Sequence, residues 1–173
     1  VADQFVGFIA LADDFFTALV VRNTSGTPSV PDATPTYRVY GESGLMTNGT
    51  GSAAALNTGV VTAASNAAPI VITSVAHGLN TGTRVTVASV GGNTAANGTF
   101  IVTRVSNDTF SLDGSTGNGA YTSGGTWKVT GLFSVGFTVT AGNGFEAGKT
   151  YSVIASYAVS STSLVQQFTF VVV

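Results

Sequence analysis

Phe133-Ser134-Val135-Gly136-Phe137-Thr138-Val139 places its large apolar residues at every second position, and Tyr151, Val153, Ala155, Tyr157 and Val159 keep one parity shortly afterwards. A period of two is the mark of a half-buried strand, whose successive side chains point to opposite faces; a helix would need 3.6. Leu164, Phe168, Phe170 and Val172 continue the pattern, interrupted by Gln166. Arg84-Val85-Thr86-Val87 and the β-branched run Thr99-Phe100-Ile101-Val102-Thr103 add two more strands. The fold class that follows is all-β. Near the start, Val6 to Leu11 and Phe15 to Arg22 are apolar on both parities, which predicts central strands covered on both faces. Asp13 to Val21 is the one window worth testing for a helix, and its β-branched and aromatic content favours a strand.

Turn chemistry separates these runs. Asn48-Gly49, Asn97-Gly98, Asn118-Gly119 and Asn143-Gly144 predict hairpin turns, because Asn and Gly tolerate positive φ. Pro28, Pro31 and Pro35 mark Gly26 to Thr36 as an exposed connection, since Pro donates nothing to a ladder. From about Val60 to Trp127 the chain becomes a series of short strands and Gly/Asn/Ser/Thr turns whose only aromatics are Phe100, Phe110, Tyr121 and Trp127. The simplest organisation is a discontinuous sandwich, 1–59 with 128–173, carrying an inserted small β-module at 60–127 with a core around Val85, Val87, Phe100, Val102 and Phe110.

Composition narrows the function classes. The 173 residues are 44% apolar and only 8% charged, against about a quarter charged in ordinary soluble domains, and mean hydropathy is +0.39. Lys and Glu normally keep strand edges from pairing, so a chain this poor in them is expected to bury surface in an assembly. Six scattered Lys and Arg residues and a net charge of -2 leave no basic patch for nucleic acid. No apolar run approaches the roughly 18 residues of a membrane-crossing helix, and the N-terminus lacks the positive region of a secretory signal. With no cysteine, disulfides and thiolate metal sites are excluded.

No catalytic constellation emerges, and no cofactor or metal is expected. Ala141 to Thr150 ends in Gly-Lys-Thr, but Asn143 stands where a phosphate-binding loop needs its first Gly, and a strand pattern follows. Gly41-Glu42-Ser43-Gly44 has Leu45 in place of the last Gly of a nucleophile elbow. His77, the only histidine, sits in a turn, as do Asp108 and Asp113, which lack the alternating acidic ligands and terminal Glu of a calcium loop. Asp13 and Asp14 are adjacent and so point apart on a strand. Tyr121 and Trp127 form a candidate ligand platform of the kind that stacks on sugars, with core packing as the competing reading. Phe168, Phe170 and Val172, on an apolar final strand, are the candidate assembly contact.

Ile72-Thr73-Ser74-Val75-Ala76-His77-Gly78-Leu79, Thr81-Gly82-Thr83-Arg84-Val85-Thr86-Val87, Gly91 to Phe100 and Thr109 to Gly114 resemble a short module of phage tail and particle proteins. Such modules are described as similar to the first catalytic-cysteine half-domain of ubiquitin-activating enzymes; without a cysteine the likeness carries a fold and no chemistry. Thr27-Pro28 through Tyr40, Gly131-Leu132-Phe133 and Asn143 to Tyr151 resemble immunoglobulin-like domains of phage structural proteins. The resemblance implies an immunoglobulin-like sandwich with an inserted barrel-like module, located in a virion. It implies a capsid decoration, cement or head-fibre protein in many copies, with capsid or other virion proteins and further copies of itself as partners. The alternative is a carbohydrate-binding or adhesin module on a tail or fibre.

Overall fold

The computed structural model describes residues 4–173, and these form fifteen strands and two short 3-10 turns. In chain order the strands are β1 (Gln4–Ile9), β2 (Asp14–Val20), β3 (Thr36–Gly41), β4 (Gly44–Ser52), β5 (Ala54–Ala55), β6 (Thr58–Val60), β7 (Ala63–Ala64) and β8 (Ile70–Thr73). They continue with β9 (Arg84–Ala88), β10 (Gly98–Arg104), β11 (Thr109–Leu112), β12 (Thr126–Val129), β13 (Leu132–Thr138), β14 (Thr150–Val159) and β15 (Thr162–Val172). The chain divides into two compact units, one made of the segment up to Ala54 with Gly131–Val173, the other of Ala55–Thr130. These boundaries lie outside the expected 60–127. Thr58 to Val60 and Lys128 pair with each other as β6 and β12, and so belong to the inserted unit.

The outer unit is a β-sandwich of a five-stranded sheet, β1-β15-β14-β3-β4, and a three-stranded sheet, β2-β13-β5. All pairings in the larger sheet are antiparallel except β1 with β15. Alternation does what the sequence demanded. Tyr151 lies opposite Phe170 and Val153 opposite Phe168, and these face Phe15, Leu19, Val135 and Phe133 of the smaller sheet across one core. At its centre the ring centroids of Phe15 and Phe170 are 4.8 Å apart, and those of Phe15 and Phe137 are 4.7 Å apart. Aromatic pairs at this spacing add to the area they bury.

Two expectations are corrected. Val6 to Leu11 and Phe15 to Arg22 are not central strands: β1 and β2 stand at the ends of their sheets, each with one face on the core and the other in solvent. Phe8 is 67% exposed and Phe16 60%. Nor do the Asn-Gly pairs turn two-residue hairpins. Asn48-Gly49 lies within β4, Asn97-Gly98 leads into β10, Asn118-Gly119 lies in a loop, and Asn143-Gly144 ends a 3-10 turn. The tight hairpins turn at Glu42-Ser43 and at Ser160-Ser161. Ser160 and Ser161 have φ of 50° and 63°, a left-handed pair for which Asn-Gly is the usual choice. Asp32 takes its place as the local stabiliser, its two carboxylate oxygens accepting the Ser160 and Ser161 N–H at 2.9 and 2.7 Å.

The inserted unit is a small curled sheet of order β6-β12-β9-β10-β11-β8-β7. β10 pairs with β9 through Gly98 to Ile101 and with β11 through Val102 to Arg104, so it bends from one half of the sheet to the other. β6 and β7, at opposite ends of that order, are separated only by Val61 and Thr62 in the chain. One kinked segment therefore brings the two ends together. Val85, Val87, Val102 and Phe110 are buried at its centre with Phe100 packed against them.

Candidate functional site

The candidate assembly contact is overturned by burial. Phe168, Phe170 and Val172 are fully buried in the sandwich core, and β15 is flanked by β1 and β14 rather than free at an edge. An apolar stripe on one parity fits the inside of a sandwich as well as an interface. Here the smaller sheet already covers it.

The platform of Tyr121 and Trp127 is overturned for a similar reason. Trp127 is 2% exposed; its indole N–H donates to Ser74 Oγ at 2.8 Å, and its ring packs edge-on against Phe110, 5.8 Å away. The Tyr121 hydroxyl is held by the carbonyls of Val61 and Gly124. The Trp127 ring offers no free face for stacking, and the half-buried Tyr121 ring packs against the same core.

His77 is buried rather than exposed. Its Nδ1 accepts the Leu79 N–H at 3.0 Å, which leaves Nε2–H to be shared by the carbonyls of Ser106 and Thr109 at 3.1 and 3.2 Å. The ring pins the Val105–Asp108 turn to the segment after β8. Asp108 accepts the Ala76 N–H, and Asp113 accepts the hydroxyls of Thr103 and Ser111. Asp14 takes the Thr138 hydroxyl across the β2–β13 pair. Among the described residues, no group of three or more His, Cys, Asp or Glu side chains gathers as metal ligands do.

Glu42, of the Gly41–Gly44 turn, and Lys149, of the Gly-Lys-Thr stretch, meet in one place. Lys149 Nζ lies 2.9 Å from Glu42 Oε2, and hydrogen bonding to that carboxylate raises the Lys149 ammonium above its ordinary 10.5. They border an open hollow of about 300 Å³ with Met46, Glu146 and Tyr151. Both ends of the pair are solvent-exposed and satisfy each other, an arrangement that ties the β3–β4 hairpin to the start of β14.

What the sequence did not reveal is the outer face of the five-stranded sheet. Phe5 pairs with Thr169 and Phe8 with Val171, with a bulge between Phe5 and Gly7. Residues three apart on a regular strand point to opposite faces. The extra residue, accommodated by Gly7 at φ 135°, turns both rings to the same side. They stack edge to face at 5.7 Å, 56% and 67% exposed. Tyr40, Leu45, Ile154 and Val171 share that outward parity. In all five strands the only charged residue is Arg38. An uncovered sheet face is ordinarily polar; this one is aromatic, aliphatic and hydroxyl-bearing. The signal was present as the two-parity apolar run Val6–Leu11, which edge position and a bulge explain better than burial on both sides.

The sequence matches no family model and no curated protein.

Proposed function

We propose that this chain is a structural protein of a bacteriophage particle, a capsid decoration, cement or head-fibre component present in many copies and held by the outer face of its five-stranded sheet. The carrying observation is the exposed Phe5–Phe8 pair on an edge strand without a charged residue. Monomers defend such edges with Lys, Pro or charged inward-facing residues, and exposed apolar patches of this kind mark interaction surfaces. The resemblance of the inserted unit and the sandwich to pieces of phage particle proteins supports the same reading. A carbohydrate-binding role has less support, because the aromatic pair suited to it is committed to packing.

The test uses Phe8→Asp, a change at a solvent-facing ring that leaves the core intact. Wild-type chain is expected to co-sediment with purified particles or to self-associate, and the variant to do so at least tenfold more weakly. A wild-type chain that sediments as a stable monomer and binds neither capsids nor tails would overturn the proposal.

A further inference from the structure

Gln166 breaks an apolar stripe. Leu164, Phe168, Phe170 and Val172 share its parity on β15, and its partner across the ladder is Ala155, which is fully buried. An amide on a core-facing position costs free energy unless its hydrogen bonds are met, and among the described residues none bonds to it. It is not a buried orphan, because the core gives out here: Leu164 and Tyr157, which lie opposite each other, are only half-buried.

A groove of about 540 Å³ opens at this place, between the far end of the β14–β15 hairpin and β2, and its walls include Gln4, Ala18, Val20, Arg22, Tyr157 and Gln166. Arg22 follows the end of β2, where its backbone bridges Pro28. Its Nη1 donates to Gly26 O at 2.8 Å, which leaves the rest of the guanidinium fork unspent. No carboxylate among the described residues pairs with it. Asp32, which holds the turn of the same hairpin, spends both oxygens on the Ser160 and Ser161 N–H groups. The Tyr157 hydroxyl and the Gln4 amide likewise have no hydrogen-bond partner among the described residues.

We infer that this groove is a carbohydrate site, taking an acidic sugar whose carboxylate pairs with Arg22 and whose hydroxyls bond to Gln4, Gln166 and Tyr157. Convergent polar groups beside an apolar wall, here Ala18 and Val20, are the anatomy of a small-molecule site, and the volume lies within its range of roughly 300–1,000 Å³. A guanidinium fork matches a carboxylate with two parallel bonds. Side-chain amides and a phenol both donate and accept, which suits sugar hydroxyls; a bare carboxylate or phosphate only accepts and would leave the accepting oxygens of both amides unused. The site owes nothing to Tyr121 and Trp127, and it does not depend on the particle reading, which rests on Phe5 and Phe8.

The test titrates the whole chain with sodium glucuronate and sodium galacturonate at constant ionic strength and follows backbone and Gln side-chain amide resonances. Glucose and sodium acetate are the neutral-sugar and bare-carboxylate controls. At least one uronate is expected to shift the Gln4 and Gln166 side chains and the Val20 and Arg22 amides saturably, at least tenfold more tightly than either control. Arg22→Gln should abolish the preference for uronate over glucose. Gln166→Leu, which completes the apolar stripe, should keep or raise the denaturant midpoint while weakening uronate binding at least fivefold, so that loss of the site is distinguished from loss of the fold. Three outcomes overturn the inference: no saturable shift with either uronate at about 10 mM, tenfold above a millimolar Kd; binding of glucose or acetate as tight as that of uronate; or undiminished uronate binding by folded Arg22→Gln or Gln166→Leu.

Discussion

Asp32→Ala should destabilise the sandwich through a hairpin in which Asp32 does not itself lie. The β14–β15 turn holds Ser160 and Ser161 at positive φ, a conformation that costs roughly 1–2 kcal/mol per non-glycine residue. The Asp32 carboxylate accepts both of their N–H groups at 2.9 and 2.7 Å. Hydrogen bonds to a charged group are each worth about 1.5–3 kcal/mol. Because Asp32 and both serines are exposed, water replaces much of that on removal, and the expected loss is about 2 kcal/mol for the pair, below the roughly 3–6 kcal/mol that two such bonds would sum to. Replacing Ser160-Ser161 with Asn-Gly supplies the left-handed conformation locally, so in that background Asp32→Ala should cost less than half as much. The assay is a double-mutant cycle by urea denaturation followed by far-UV circular dichroism, with amide exchange at positions 160 and 161 as the local readout. Equal losses in both backgrounds would refute the claim that Asp32 acts by holding this turn.

Phe170→Ala should cost about 3–5 kcal/mol as read by denaturant midpoint, because Phe170 is fully buried among Phe15, Phe137 and Tyr151; a loss seen only in association would restore it as a contact. Trp127→Phe leaves the buried Ser74 hydroxyl without its indole donor and should lower the stability of the inserted unit by about 1–3 kcal/mol, measured by exchange of the Val87 and Phe110 amides. Burial raises the Tyr37 phenol above its ordinary 10.0, so the fold favours its neutral form; that contribution is whole below pH 10 and is lost as pH rises from there through the folded value. Tyr37→Phe, which removes the donor to Gly136 O, should flatten the stability profile above about pH 10. Replacing 56–129 with a short Gly/Ser linker should leave the sandwich folded by circular dichroism, because β5 ends beside β13 in one sheet and closure cost varies slowly with loop length.

Period-two alternation by itself determined the all-β class, the inward parity of β13, β14 and β15, and the core of the inserted unit, because burial on one face of a pleated strand is written residue by residue. A composition shift marked 60–127 as an insertion, whereas the compact unit runs over Ala55–Thr130, because the pairing of β6 with β12 adds residues that composition does not single out. Alternation does not say which strand lies beside which. That Phe168, Phe170 and Val172 face a second sheet rather than a neighbour, and that β1 and β2 are edges rather than centres, follows from pairings such as Thr169 with Phe5 across most of the chain. Turn chemistry misled for the same reason. The Ser160-Ser161 hairpin depends on Asp32, a partner 128 residues away from Ser160, and no local pattern records it. The buried place of His77 likewise depends on the carbonyls of Ser106 and Thr109, 29 and 32 residues away. Such placements arise from hydrogen bonds between distant segments, and only the tertiary structure decides them.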